Sequence, residues 1–171
     1  MRLRNRIAVA LAAMAVAGAT FAQGAPGFPS RPFRLIVASA PGGTQDTVGR
    51  IVAEGLSERL GQPVVADNRG GAAGVIGCEI AAQSNPDGHT MVIVSASYGV
   101  HPSVRKQMPY DSLRDLAPVG RRTAGDPQTQ KRLRARGIEP SQVTSEEFAA
   151  LLRKEIPKWA KVMKAAGVQP Q

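Results

Sequence analysis

One cysteine and two histidines are the whole supply of thiol and imidazole groups in this 171-residue sequence. Cys78 has no partner for a disulfide within the chain, and His89 and His101 read as surface or turn residues without metal-ligand spacing, so structural zinc, haem and other cofactors are not expected. Aromatic residues make up only 4%, and the basic residues are scattered instead of interleaved with rings, which argues against a stacking platform for nucleic acid. No glycine-rich stretch ends in the Gly-Lys-Ser/Thr of a nucleotide-binding loop. No base and orienting group stand near Cys78 in sequence, so a buried, inert thiol is expected and an enzyme is not.

Long hydrophobic runs are also missing. The apolar stretch Ile7 to Ala17 covers about 11 residues, short of the roughly 20 that a membrane span needs. Arg2, Arg4 and Arg6 precede it and small residues around Thr20-Phe21-Ala22 follow it, the three parts of a secretory signal peptide with cleavage after Ala22. Cleavage removes three arginines and no acidic residue, taking the formal charge of +9 to about +6. An extracytoplasmic location follows, with no stable membrane insertion after cleavage, and the positive excess favours anionic small molecules by long-range attraction.

The remaining residues alternate between strand and helix signals. After a Pro/Gly-rich leader, Phe33 to Ala38 is a short β-rich run, and the turn cluster Ser39 to Asp46 precedes a helical face of Val48, Ile51, Val52, Leu56 and Leu60, stopped at Gly61. Pro63 to Ala66 reads as a second strand, Asn68 to Gly74 as a glycine-rich loop and Val75 to Gln83 as a helix. Met91 to Val94 is a third strand, ending at Ser95-Ala96-Ser97. This order specifies an α/β fold, a mostly parallel sheet flanked by helices, whose ligands bind beyond the carboxyl ends of the strands.

Three loops gather at that end. The first carries Ala40, Pro41, Gly42, Gly43, Thr44, Gln45 and Asp46; the second Arg69, Gly70, Gly71, Ala72, Ala73 and Gly74; the third Ser95 and Ser97. Glycines let backbone amides approach a ligand, and helix N-termini favour negative charge, so a carboxylate or phosphate suits these loops. Asp46, at a helix start, reads first as a cap.

Beyond Asp126, a cap for a helix ending near Gly137, the chain is helical and basic. Lys131, Arg132, Arg134 and Arg136 read as a solvated face. Thr144 to Glu147 form a capping box, and Phe148, Leu151, Leu152, Ile156, Trp159, Met163 and Ala166 mark the apolar side of a last helix expected to pack Trp159 onto the sheet. Pro157 predicts a kink or break there.

Several motifs in order, Ala40-Pro41-Gly42-Gly43-Thr44-Gln45-Asp46, Leu60-Gly61-Gln62-Pro63-Val64-Val65-Ala66-Asp67-Asn68-Arg69, Asn85-Pro86-Asp87-Gly88-His89-Thr90 and Met108-Pro109-Tyr110-Asp111, resemble the substrate-binding receptors of tripartite tricarboxylate transporters, the Bug family. The resemblance implies a type II periplasmic-binding-protein-like fold, a carboxylate-bearing solute, a membrane permease as partner, no nucleic acid and a periplasmic location. It places carboxylate contacts on the first two loops. Family members carry an aromatic where Ser39 stands and a proline where Gly70 stands.

The same resemblance implies two lobes in a chain about twice as long. Here an opening block, 33–120, meets a closing block, 125–171, so a single lobe within 23–171 is expected. Arg121-Arg122-Thr123-Ala124 would mark either an internal deletion or an error in the gene reading. A receptor impaired by the loss of its second lobe, or a secreted remnant that binds nothing, then become the two expectations.

Overall fold

The computed structural model describes residues 27–119, 126–141 and 143–170. The chain divides into two compact units, Met1–Ser30 and Arg31–Gln171. The expected signal peptide and the junction at 120–125 lie outside the described residues, and the account below concerns the second unit.

Strand β1, Phe33–Val37, is apolar at four of five positions and almost wholly buried, the pattern of a central parallel strand covered on both faces. It pairs in parallel with β2, Val64–Asn68, on one side and with β3, Thr90–Ile93, on the other, giving the order β2-β1-β3. Leu35 stands opposite Ala66 and Met91 in this register. Ile36 and Val37 are fully buried, and each such side chain contributes about 1.5–3 kcal/mol by leaving water.

Helix α1, Thr44–Leu60, returns from β1 towards β2. Ala53 and Leu56 pack with Phe33, Leu35 and Val64, and Val52, Leu60, Met91 and Ile93 border that cluster. The helix stops at Gly61, whose left-handed backbone lets its amide reach the Ser57 carbonyl. The Ser57 hydroxyl donates to the Ala53 carbonyl and accepts from the Val64 amide at 2.8 Å, tying the end of α1 to the start of β2.

After β2 comes a short turn, Ala72–Gly74, and helix α2, Val75–Ala82. Val75 and Cys78 form a second core cluster with Tyr98 and Tyr110 on the other side of the sheet. A turn at Ala96–Gly99 leads into the four-residue helix α3, His101–Val104. Helix α4, Pro127–Arg134, is capped by Asp126, which accepts from the Thr129 amide as the sequence predicts. Thr129 is fully buried against Gly55 of α1, where a Cβ would overlap its hydroxyl. Arg132 pairs with Glu54 and Glu58 of α1 at 3.1 and 3.3 Å, so that part of the basic face is engaged, not merely solvated.

Helix α5, Ser145–Ala165, begins with the predicted capping box of Thr144 and Glu147. Four sequence expectations change here and nearby. Helical structure continues through Pro157, which is exposed along with Arg153, so the carbonyl freed by the missing N–H can be met by water. Trp159 lies beside Gly99 in the turn before α3, not on the sheet, because α5 packs against α3 and that turn. His89 and His101 are buried, at 5% and 4% exposure. Strand β2 also runs on to Asn68, since Asp67 is held there by Arg34 across the sheet at 2.6 Å.

Candidate carboxylate site

All three parallel strands end on the same side, and their exit loops are cross-linked by short polar contacts. The β1 loop, Ser39–Gly43, is exposed, yet Asp46 beneath it is only 5% exposed. The Asp46 carboxylate accepts from the Gly42 amide at 2.9 Å, from Asn68 Nδ2 at 3.0 Å and from Arg50 Nε at 3.2 Å. These bonds, the Gly42 amide first, hold its pKa down to about 2 against the opposing effect of burial. Asp46 stands at the third helical position and reaches back to the loop, while Gly43 occupies the cap without a side-chain bond. Its oxygens are thus occupied in bracing the loop.

Asn68, the last residue of β2, donates to the Ser39 carbonyl as well, at 3.3 Å. Gln45 crosses to the end of β3 and donates to the Ile93 carbonyl at 2.7 Å. The two glycine loops touch backbone to backbone at Gly70, where a Cβ would stand 3.0 Å from the Ala40 nitrogen. Behind them Gly77 of α2 lies against Ala38 and the Arg69 carbonyl, leaving no room for a Cβ.

The second loop has an uncommon backbone. Gly71, Ala72, Ala73 and Gly74 have φ values of 125°, 50°, 59° and 101°. Left-handed alanines cost roughly 1–2 kcal/mol each, and such backbone persists only where the surroundings over-determine it. Here Ser97 Oγ and His101 Nε2 converge on the Ala73 carbonyl at 3.2 and 3.1 Å, and Arg105 reaches the Ala72 carbonyl at 3.3 Å. The Gly74 amide closes the turn on the Gly71 carbonyl at 2.9 Å. Ser95 and Ser97 share a hydroxyl hydrogen bond of 2.7 Å at the rim of this loop.

The structure therefore brings together all three loops that the sequence singles out, but distributes their chemistry unevenly. Pro41 has no N–H, the Gly42 amide is spent on Asp46, and the side chains of Gln45 and Arg69 are turned to Ile93 and Asp67. Burial works against the Asp67 charge, but Arg34 and Arg69 beside it hold its pKa below the usual carboxylate range. The donors without an intrahelical acceptor are the first amides of α1, at Thr44, Gln45 and Asp46, at the exit of β1, where the turn Gly71–Gly74 also lies, with Gly74 against the Ala38 carbonyl. Backbone amides and hydroxyls of this kind suit an anion and offer no nucleophile with a base.

Asn68, Arg50, His101 and Arg105 are the contributors that sequence reasoning passed over. Asn68 stood in a recognised motif, and Arg50 four residues after Asp46 was a helical ion-pair signal. His101 and Arg105 gave none.

The sequence profile of the tripartite tricarboxylate transporter family receptor matches residues 48–125. BugT of Bordetella pertussis is 40% identical over 121 residues, which are 70% of this chain and 37% of BugT. Over these residues the chain is similar to the receptors of the tripartite tricarboxylate transporter family. It spans about a third of the length of the curated relatives it matches, 34% of one from Pseudomonas and 37% of BugT.

Among solved structures, the periplasmic binding protein BugD superposes with a TM-score of 0.79 over 84% of this chain and 100% of its own, at 17% identity, which speaks for the fold. MatC from Rhodopseudomonas palustris, with bound malate, gives a TM-score of 0.51 at 32% identity over 54% of this chain and 32% of MatC. These are receptors and binding proteins, not enzymes. Among the described residues no helix is long and apolar enough to cross a membrane.

Proposed function

We propose that the chain is a periplasmic solute-binding protein that receives a carboxylate-bearing small molecule for a tripartite tricarboxylate transporter, whose membrane permease is its partner. The observation that carries this reading is that the first turn of α1 and the left-handed Gly71–Gly74 turn follow the carboxyl ends of the neighbouring strands β1 and β2, whose exit loops meet at Gly70 and Ala40. A carboxylate there would take N–H bonds directly or through water, with Ser95 and Ser97 at the rim, and no bond chemistry would follow. The malate held by MatC supports the substrate class.

The architecture we infer is a single lobe, with the second lobe absent between 120 and 125, so closure over the ligand is lost. A receptor binding at 1 μM has about −8.2 kcal/mol; half of that leaves a dissociation constant near 1 mM. Calorimetry with malate and adipate tests the reading. Heats fitting a dissociation constant near 1 mM support it, and no heat at several times that concentration removes it. The second reading, a secreted remnant that binds nothing, draws on α5, none of whose residues is buried, and predicts self-association through that face in light scattering.

A further inference from the structure

The second core cluster contains a chain of polar groups that ends on the ligand-side loop. His101, 4% exposed, has its Nε2 3.1 Å from the Ala73 carbonyl and its Nδ1 3.4 Å from the Tyr110 hydroxyl. A carbonyl oxygen can only accept, so Nε2 carries the proton and Nδ1 is left as an acceptor. Tyr110 must then donate its hydroxyl proton to Nδ1, and the buried Cys78 thiol belongs to the same core cluster.

We propose that His101 is a positioning residue for the carboxylate site: its Nε2–H, the tautomer that the Ala73 carbonyl requires, pins that carbonyl and holds the Gly71–Gly74 turn in its left-handed form. This deepens the receptor reading and rests on it for the role of the turn. Two alanines in succession with positive φ relax unless something outside the loop holds them. Ser97 reaches the same carbonyl from an exposed part of the chain at 3.2 Å, whereas His101 reaches it from the core. Titratable groups around the ring are Cys78 from α2, Tyr98 edge-on at 6.4 Å, Tyr110, and Arg105 beyond α3. Burial first, and then the Arg105 charge, lower the His101 pKa despite the opposing Ala73 bond, so the neutral ring is favoured.

The test is heteronuclear NMR of the imidazole nitrogens in the full chain, with hydrogen exchange at the Gly74 and Val75 amides. The expected result is a proton on Nε2 alone near neutral pH. His101→Phe should speed exchange at both amides about tenfold, and His101→Gln, whose amide can still donate, should restore it to within about threefold. A proton on Nδ1, or unchanged exchange in His101→Phe, overturns the proposal. Should the phenylalanine variant fail to fold, Tyr110→Phe decides: the Ala73 carbonyl should keep the proton on Nε2, and a shift of the proton to Nδ1 contradicts the pin. Malate titration separates this idea from the receptor reading. Absence of malate binding in the parent, with the tautomer and exchange effects intact, removes the receptor reading and leaves the pin; equal malate affinity in parent and His101→Phe overturns the positioning role.

Discussion

Asn68 and Asp46 meet at 3.0 Å, the side-chain amide at the end of β2 donating to the carboxylate in the first turn of α1. Through this contact two neighbouring strand exits become one rigid rim, because Asp46 also accepts from Gly42 and Asn68 also donates to Ser39.

Removing the donor should loosen both loops. Asn68→Ala is expected to cost about 2 kcal/mol, as for loss of a hydrogen bond to a charged group, read as a lower denaturant midpoint with an unchanged slope. An unaltered midpoint would mean that the rim holds without this bond.

Acid should act through the same carboxylate. The Asp46 pKa falls from 3.8 to about 2 on folding, so its contribution is present above the higher value and is lost as pH falls towards the lower. Denaturation midpoints should decline between about pH 4 and pH 2, and less steeply in Asp46→Asn. Equal declines in parent and variant would place the acid sensitivity on other carboxylates.

Close approach at Gly77 gives a third expectation. A methyl group there would stand 2.8 Å from the Arg69 carbonyl and 3.0 Å from the Ala38 Cα, both backbone. Gly77→Ala should therefore displace α2 and cost about 1–3 kcal/mol, although alanine is the better helix former. Thermal unfolding measures this, and a gain in stability would contradict the packing described.

The reverse change suits the left-handed turn. Ala73→Gly removes a Cβ from a residue at φ 59° and should stabilise the chain by up to about 1 kcal/mol. In Ala149→Gly, within α5, the same replacement should cost about that amount. Loss of stability in both variants would show that the turn is not strained.

The local rules of the chain were readable in advance. β1 declared itself by an unbroken apolar run, α1 by its spacing and its Gly61 stop, and α4 and α5 by Asp126 and the Thr144–Glu147 box, since each depends on neighbours in sequence. What depended on distant neighbours was hidden. Alanines give no sign that they will adopt positive φ, and the His101 tether to Ala73 spans 28 residues. Asp46 was recognisable as a residue of the helix start, but its use as a brace needed Asn68 beside it. Trp159 had an apolar stripe to predict burial, yet nothing local names the surface it meets.

The central claim is that backbone amides, not side chains, receive the carboxylate, and Thr44→Pro tests it most directly. Proline is tolerated at the first helical position, follows the extended Gly43 backbone without strain and removes one amide donor. Malate titration followed at the Gln45, Asp46, Ala72 and Ala73 amides should show them shifting together in the parent, with affinity about tenfold weaker in the variant. Identical titrations of parent and Thr44→Pro, or amides that stay still while malate binds elsewhere, would contradict it.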